Sequence, residues 1–269
     1  MKTSVRLLML SLLFVIGMGL GTYSRAEDAP AMPPAGMKLI PEDLTANFNL
    51  SLYSQYIWRG YALSKDSFVM FPTLTVGYKG FAINIWTDLD TSFAGDNNKF
   101  KLQETDVTVS YSNSIAPIKL NYTLGWILYN YQPSKNQEIF LTLGLDTILK
   151  PTLSVYQEIE LGEAWYFNLG LAHSFAVYKD WSLDLAATAS FYNNKSYGDF
   201  SDFHDGSISA GLKIPLNKHL SIKPNLQYSF PLSSAASRDI KALSLTNRGF
   251  SGDGHTHFVY GGLIFDLSI

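Results

Sequence analysis

The chain has 269 residues, is 46% hydrophobic yet only 16% charged, contains 16 Tyr and 17 Phe, and has a formal net charge of −3. Soluble domains carry about 25% charged residues and mean hydropathy is only +0.03, so a bundle of transmembrane helices is excluded and the composition suits a β-protein, one whose surface need not face water. The absence of cysteine excludes a disulfide scaffold, a Cys-ligated zinc site and a thiol nucleophile. The acidic balance argues against nucleic acid as a partner.

The first element is an export signal. Lys2 and Arg6 precede an apolar run from Leu7 to Leu20, and Ser24-Arg25-Ala26 places small residues before a cleavage point. This pattern predicts a signal peptide over residues 1–26, its core being shorter than the roughly 20 residues a helical span needs. Its removal loses three bases and no acid, which takes the net charge from −3 to −6. Residues 27–43 hold Pro30, Pro33, Pro34 and Pro41, a flexible leader on the periplasmic side in which neither helix nor ladder propagates.

From Leu44 the chain alternates. Leu44, Ala46, Phe48, Leu50, Leu52, Ser54, Tyr56 and Trp58 share one phase, apolar at all but Ser54; Thr45, Asn47, Asn49, Ser51, Tyr53, Gln55, Ile57 and Arg59 fall on the other, most of them polar. A period of two predicts a strand with one apolar and one wet face. Strands are expected over 44–60, 67–79, 81–91, 103–112, 118–130, 137–147, 151–161, 165–177, 181–192, 206–214, 220–230 and 257–269. Short connections such as Lys79-Gly80 and Tyr178–Asp180 alternate with longer ones such as Thr91–Leu102, Asn193–Asp205 and Pro231–Thr256. Gly162–Ala164 is the short exception among the latter. The layout predicts an all-β, up-and-down antiparallel transmembrane barrel of about twelve strands over residues 44–269. An even strand count puts both barrel ends on the short-turn, periplasmic side.

A soluble sandwich or lipocalin-like barrel uses the same alternation with its apolar face inward. Three features favour the membrane. Rings cluster near the ends of the apolar phase: Tyr56, Trp58, Trp126, Trp165, Phe167, Phe191, Tyr228 and Phe230 at one end, Tyr78, Phe81, Tyr111, Phe175 and Trp181 at the other. Such girdles mark bilayer interfaces. The polar phase holds Asp184, Lys223 and Glu158 within strands, which a dry core would not accommodate cheaply. The last strand carries Val259, Leu263, Phe265, Leu267 and Ile269 on one phase, similar to the signal by which barrel-assembly machinery recognises its clients. Pro72 and Pro224 count against a closed barrel, since each lacks a ladder donor.

The wet phase is then a pore lining. At the outer end it carries Asp88, Asp90, Glu104, Asp106, Glu138, Glu158 and Glu160 against Arg59 alone. Like charges near a low-dielectric wall concentrate counter-ions, so a mildly cation-attracting mouth is expected, unless Arg59 or loop lysines such as Lys65, Lys99 and Lys101 neutralise the acids. Small inward residues, among them Asn168, Gly170, Thr188, Ser207 and Gly211, leave either an open path along one wall or relief of strain in a tightly coiled sheet. Arg59 is either a clamp to Asp88, Asp90 or Glu104, or a ligand for an anionic solute.

The stretch from Ser54, Tyr56, Arg59 and Gly60 through Ser64 and Pro72 to Tyr78-Lys79-Gly80-Phe81 and Trp86 resembles the TorF-like family of porin-type proteobacterial proteins. Tyr61-Ala62-Leu63-Ser64 departs from that family's Ser-Gln-Thr. The resemblance implies an outer-membrane barrel and no particular substrate.

Catalytic and metal signals are weak. His173 is in the lipid-facing phase, while Ser154 and Ser190 are in the other. Ser251–His257 and the acidic group Asp199, Asp202, His204 and Asp205 match no zinc-site or EF-hand spacing. The expected function is therefore passive diffusion of small hydrophilic solutes across the bacterial outer membrane, with lipid and lipopolysaccharide around the barrel and no enzymatic step, cofactor or metal. The alternatives are a non-conducting structural or adhesin-like barrel and a hydrolase at the outer rim.

Overall fold

Strands that are apolar on one face and polar on the other must hide the apolar face, and an open sheet leaves two unpaired edges. In the computed structural model, which describes residues 43–64, 67–91, 101–131, 134–160, 164–195, 199–245 and 254–269, closure removes both edges. The elements in chain order are β1 (Leu44–Tyr53), β2 (Ile57–Trp58), β3 (Tyr61–Ala62), β4 (Val69–Tyr78), β5 (Phe81–Asp90), β6 (Lys101–Ile115), β7 (Leu120–Tyr131), β8 (Ser134–Leu145), β9 (Thr152–Glu158), β10 (Ala164–Tyr178), β11 (Trp181–Asn194), β12 (Phe200–Pro215), β13 (Leu220–Pro231), a helix α1 (Ser234–Leu243) and β14 (Phe258–Ser268). Twelve of these strands form a closed antiparallel barrel, in which β1 pairs with β4 on one side and β14 on the other. β2 and β3 pair only with each other.

The short-turn end is built by tight connections. Lys79 and Gly80 both have positive φ, 50° and 86°, as a two-residue hairpin turn of the primed type requires. Ala116–Ile118 forms a single 3-10 turn. The predicted prolines are absorbed as gaps. Met70 faces Leu89 and Thr73 faces Trp86, so the β4–β5 ladder skips Phe71 and Pro72 without changing register. The β12–β13 ladder likewise passes Pro224 between Gly211↔Asn225 and Ile214↔Ile222.

The apolar phase points outward. Ile83, Val109, Leu124, Leu169, Ile208 and Leu226, each on a different strand, are exposed. A ring of large aliphatic side chains around a closed barrel is far larger than the patches soluble monomers expose, and it is the pattern of a transmembrane barrel. This orientation overturns the soluble alternative, whose apolar face would be inside.

Several boundaries differ from expectation. The first strand ends at Tyr53, not at residue 60. Ser54 closes it against β14 through its amide to the Gly261 carbonyl (3.0 Å), with Gly261 N–H donating back to Ser54 Oγ (3.2 Å). The chain then leaves the wall and turns into the lumen, so Tyr56 and Trp58 belong to no lipid girdle: Tyr56 is buried against Phe71 and Trp86. β7 and β8 run to Tyr131 and from Ser134, and β12 begins at Phe200, so two expected loops are shorter. The predicted signal peptide lies outside the described residues, as does the leader up to residue 42.

Candidate functional site

The lumen is narrowed by the chain's own segment Ser54–Ser64. Its ends are tied by Leu63 N–H to the Tyr56 carbonyl (2.8 Å) and by Tyr56 N–H to Ser64 Oγ (2.8 Å). Its tip is Arg59-Gly60, with φ of 47° and 81°, a two-residue turn between the paired Trp58 and Tyr61. Gly60 is required twice over. Its φ suits glycine, and a Cβ there would lie 2.8 Å from Asp205 Cβ and 3.2 Å from Ile240 Cδ1.

Arg59 reaches across the barrel to β8. Its Nη1 and Nη2 donate to the two oxygens of Glu138 at 2.8 and 2.7 Å. The pair is buried, with side chains 7% and 5% exposed. The guanidinium also sits over Trp58, Tyr156 and Tyr166 at 4.4, 4.9 and 4.4 Å from the ring centroids. Bidentate pairing and ring contacts each strengthen a desolvated Arg. Burial by itself would lower its pKa, but Glu138 outweighs that and holds the group charged. Tyr129 Oη donates a third hydrogen bond to Glu138 (2.9 Å).

The other predicted site residues divide. Asp88, Asp90, Glu104, Asp106 and Glu158 are buried on the lumenal side of β5, β6 and β9. Asp88 stands directly opposite Glu104, and Glu138 opposite Glu158, like charges facing each other across the ladder. Tyr56 Oη donates to Glu104 (3.3 Å). Glu160 is exposed beyond the end of β9, 3.8 Å from Lys135. The clamp from Arg59 therefore runs to Glu138, not to Asp88, Asp90 or Glu104, because the hairpin carries its tip away from the wall of β5 and β6.

A second network was not legible in the alternation. At Ala189–Phe191 the β11–β12 register shifts, and such a bulge sets two residues against one. Consecutive His204 and Asp205 are consequently both buried. His204 Nδ1 is 3.0 Å from Asp205 Oδ1 and its Nε2 is 3.4 Å from Asp239 Oδ2 on α1. Each ring nitrogen of His204 thus faces a carboxylate oxygen. Tyr61 Oη donates to Asp239 (2.5 Å). On the lumenal hairpin, burial and then the Asp239 carboxylate push the Tyr61 phenol far above its ordinary range, so it stays a donor. α1 starts at its Ser233 cap, whose Oγ accepts from Ala236 N–H (3.0 Å), and buries Ala236 and Ile240. Just past its end, Leu245 N–H donates to the Ala62 carbonyl of the hairpin (2.8 Å). The one sequence signal was a change of phase: Phe203 is outward and 60% exposed, whereas Ile208 is also outward with even numbering.

Beside Arg59 lies a cavity of about 160 Å3, bordered by the hairpin tip and by Tyr156, Tyr166, Asn168, Thr188 and Ser207. Toward the short-turn end Lys223 pairs with Asp184 (2.9 Å). The outward His173 is bonded at Nδ1 to the Ile148 carbonyl (2.6 Å), while Ser154 bonds to Thr142 and Ser190 to Asp205. His257 shares a hydrogen bond with Tyr228 (2.7 Å). Among the described residues, no three His, Asp or Glu are grouped to hold a metal ion.

Residues 40–159 match the model of a family described as a bacterial protein of unknown function (Gcw_chp). The stretch from Ser54 to Trp86 falls inside this match. No curated protein sequence matches the chain. Among solved structures, the NanC porin is similar with a TM-score of 0.50 at 9% identity, covering 82% of this chain and 98% of its own. An outer-membrane channel from Pseudomonas putida F1 is similar with a TM-score of 0.50 at 11% identity, covering 89% of this chain and all of its own, 100%. These likenesses are of fold: a closed membrane β-barrel.

Proposed function

We propose that this chain is an outer-membrane channel for passive diffusion of small hydrophilic solutes, narrowed by the Ser54–Ser64 hairpin and mildly cation-preferring. The observation that carries the reading is an apolar-belted closed barrel whose interior is polar and acid-rich. Six carboxylates (Asp88, Asp90, Glu104, Asp106, Glu138, Glu158) are buried on the lumenal side, and one of them is neutralised by Arg59. Carboxylates within a low-dielectric wall enrich cations and repel anions. The fold of the two solved relatives and the resemblance to the TorF-like porin family support the same reading. In this role lipid and lipopolysaccharide contact the outward belt, the terminal strand β14 is offered to the barrel-assembly machinery, and His173 has no catalytic task.

The test is planar-bilayer recording of the purified barrel in a tenfold potassium chloride gradient. A stepwise conductance with a reversal potential of cation sign is expected. An anion-sign potential overturns the selectivity. A second reading, a non-conducting structural barrel, is favoured by one observation: the hairpin and α1 pack together across the long-loop end. Absence of conductance steps would establish it.

A further inference from the structure

The cavity beside Arg59 is charge-compensated although charged groups border it. The two terminal nitrogens of Arg59 already hold the Glu138 carboxylate in the bidentate geometry that an anionic solute would need. Three rings cover the guanidinium. Asp205 accepts from Tyr166 (3.1 and 3.2 Å) and Ser190 (2.6 Å) and faces His204 at 3.0 Å. A cationic solute would thus meet an engaged carboxylate and a fixed guanidinium. The rest of the lining is neutral and rich in paired hydrogen-bonding groups. Thr188 and Ser207 hydroxyls bond each other at 2.7 Å, and Asn168 Nδ2 donates to Tyr166 Oη (3.2 Å). A hydroxyl has one donor and two acceptor sites, so each keeps capacity for a solute hydroxyl. Tyr156, Tyr166 and Tyr260 add apolar ring surface beside these groups. A volume of about 160 Å3 is well under the ~300–1,000 Å3 of drug-sized sites, which limits the occupant to a small solute.

We infer that this cavity is a subsite for a neutral polyhydroxylated solute of monosaccharide size. The inference rests on the channel reading and names its solute class. Rings beside neutral hydroxyl and amide groups suit a molecule with alternating C–H and O–H surface, and the engaged charges select against its acidic and amino derivatives.

The test is saturation-transfer NMR on the full barrel in detergent micelles, irradiating aromatic protons, with glucose, gluconate and glucosamine as probes. Transfer to glucose is expected, with each charged probe at least about fivefold weaker, the effect of one or two hydrogen bonds lost. Thr188→Val/Ser207→Ala removes the hydroxyl pair together and leaves neither partner orphaned. It is expected to weaken glucose transfer about fivefold, heat-modifiable gel migration confirming the folded barrel. Asn168→Leu is the second variant and should weaken transfer likewise. No transfer to glucose, equal transfer to all three probes, or an unchanged signal in the folded variants overturns the subsite. Conductance separates the two readings. Current without glucose transfer keeps the channel and removes the subsite; variant-sensitive glucose transfer in a barrel without current keeps the site and removes its transport role.

Discussion

Arg59 and Glu138 are the residues on which the lumenal structure turns. Each is buried, and each satisfies the other bidentately. Truncating one partner leaves an uncompensated buried charge, which costs about 3–5 kcal/mol, whereas removing both together costs much less than the sum. Arg59→Ala and Glu138→Ala are therefore expected to destabilise the barrel strongly and the double variant mildly, as read by denaturant unfolding in a double-mutant cycle. Additive losses would mean that the pair carries no coupling. Arg59 stood out in the sequence as a lone inward base beside Gly60. Its partner did not, because seven acids shared its phase and only the reach of the hairpin tip selects among them.

At the scale of elements, Ser54–Ser64 and α1 form one unit. Tyr61 and His204 both meet Asp239, and Ile240 packs in the same buried cluster as Tyr61 and Ala62. Asp239→Ala removes both polar ties, worth about 1–3 kcal/mol where a buried donor is orphaned. The expected result is looser docking of α1, seen as faster tryptic cleavage at Arg238 and Lys241, together with a larger single-channel current. Unchanged cleavage and current would show that apolar packing alone holds the helix. The sequence misplaced this unit for a physical reason. Alternation of rings and polar residues continues from β1 through Tyr56 and Trp58, so a wall strand and a lumenal hairpin look alike until the Arg59-Gly60 turn is recognised. The bulge that turns His204 and Asp205 inward leaves only a one-residue phase slip between Phe203 and Ile208.

At the scale of the molecule, the outward belt makes a prediction that separates lipid from water. Leu171 is exposed near the middle of β10, and its neighbour Ala172 points the other way, opposite Ala186. Leu171→Arg should cost about 2–4 kcal/mol of stability in bilayers, measured by reversible unfolding into liposomes, and Ala172→Arg much less. Equal costs would mean that the outward face is not in hydrocarbon.

The sequence by itself determined the class of fold. Strand number, the two kinds of turn and the assignment of faces all follow from local alternation, and in a closed up-and-down barrel each strand pairs with its neighbours, so local pattern and topology coincide. The tertiary structure alone decided how the lumen is filled. The Arg59–Glu138 pair, the His204–Asp239 contact and the cavity beside them join residues far apart in the chain. They depend on a hairpin leaving the wall and on a bulge changing phase, and neither event alters the hydrophobic pattern enough to be read from it.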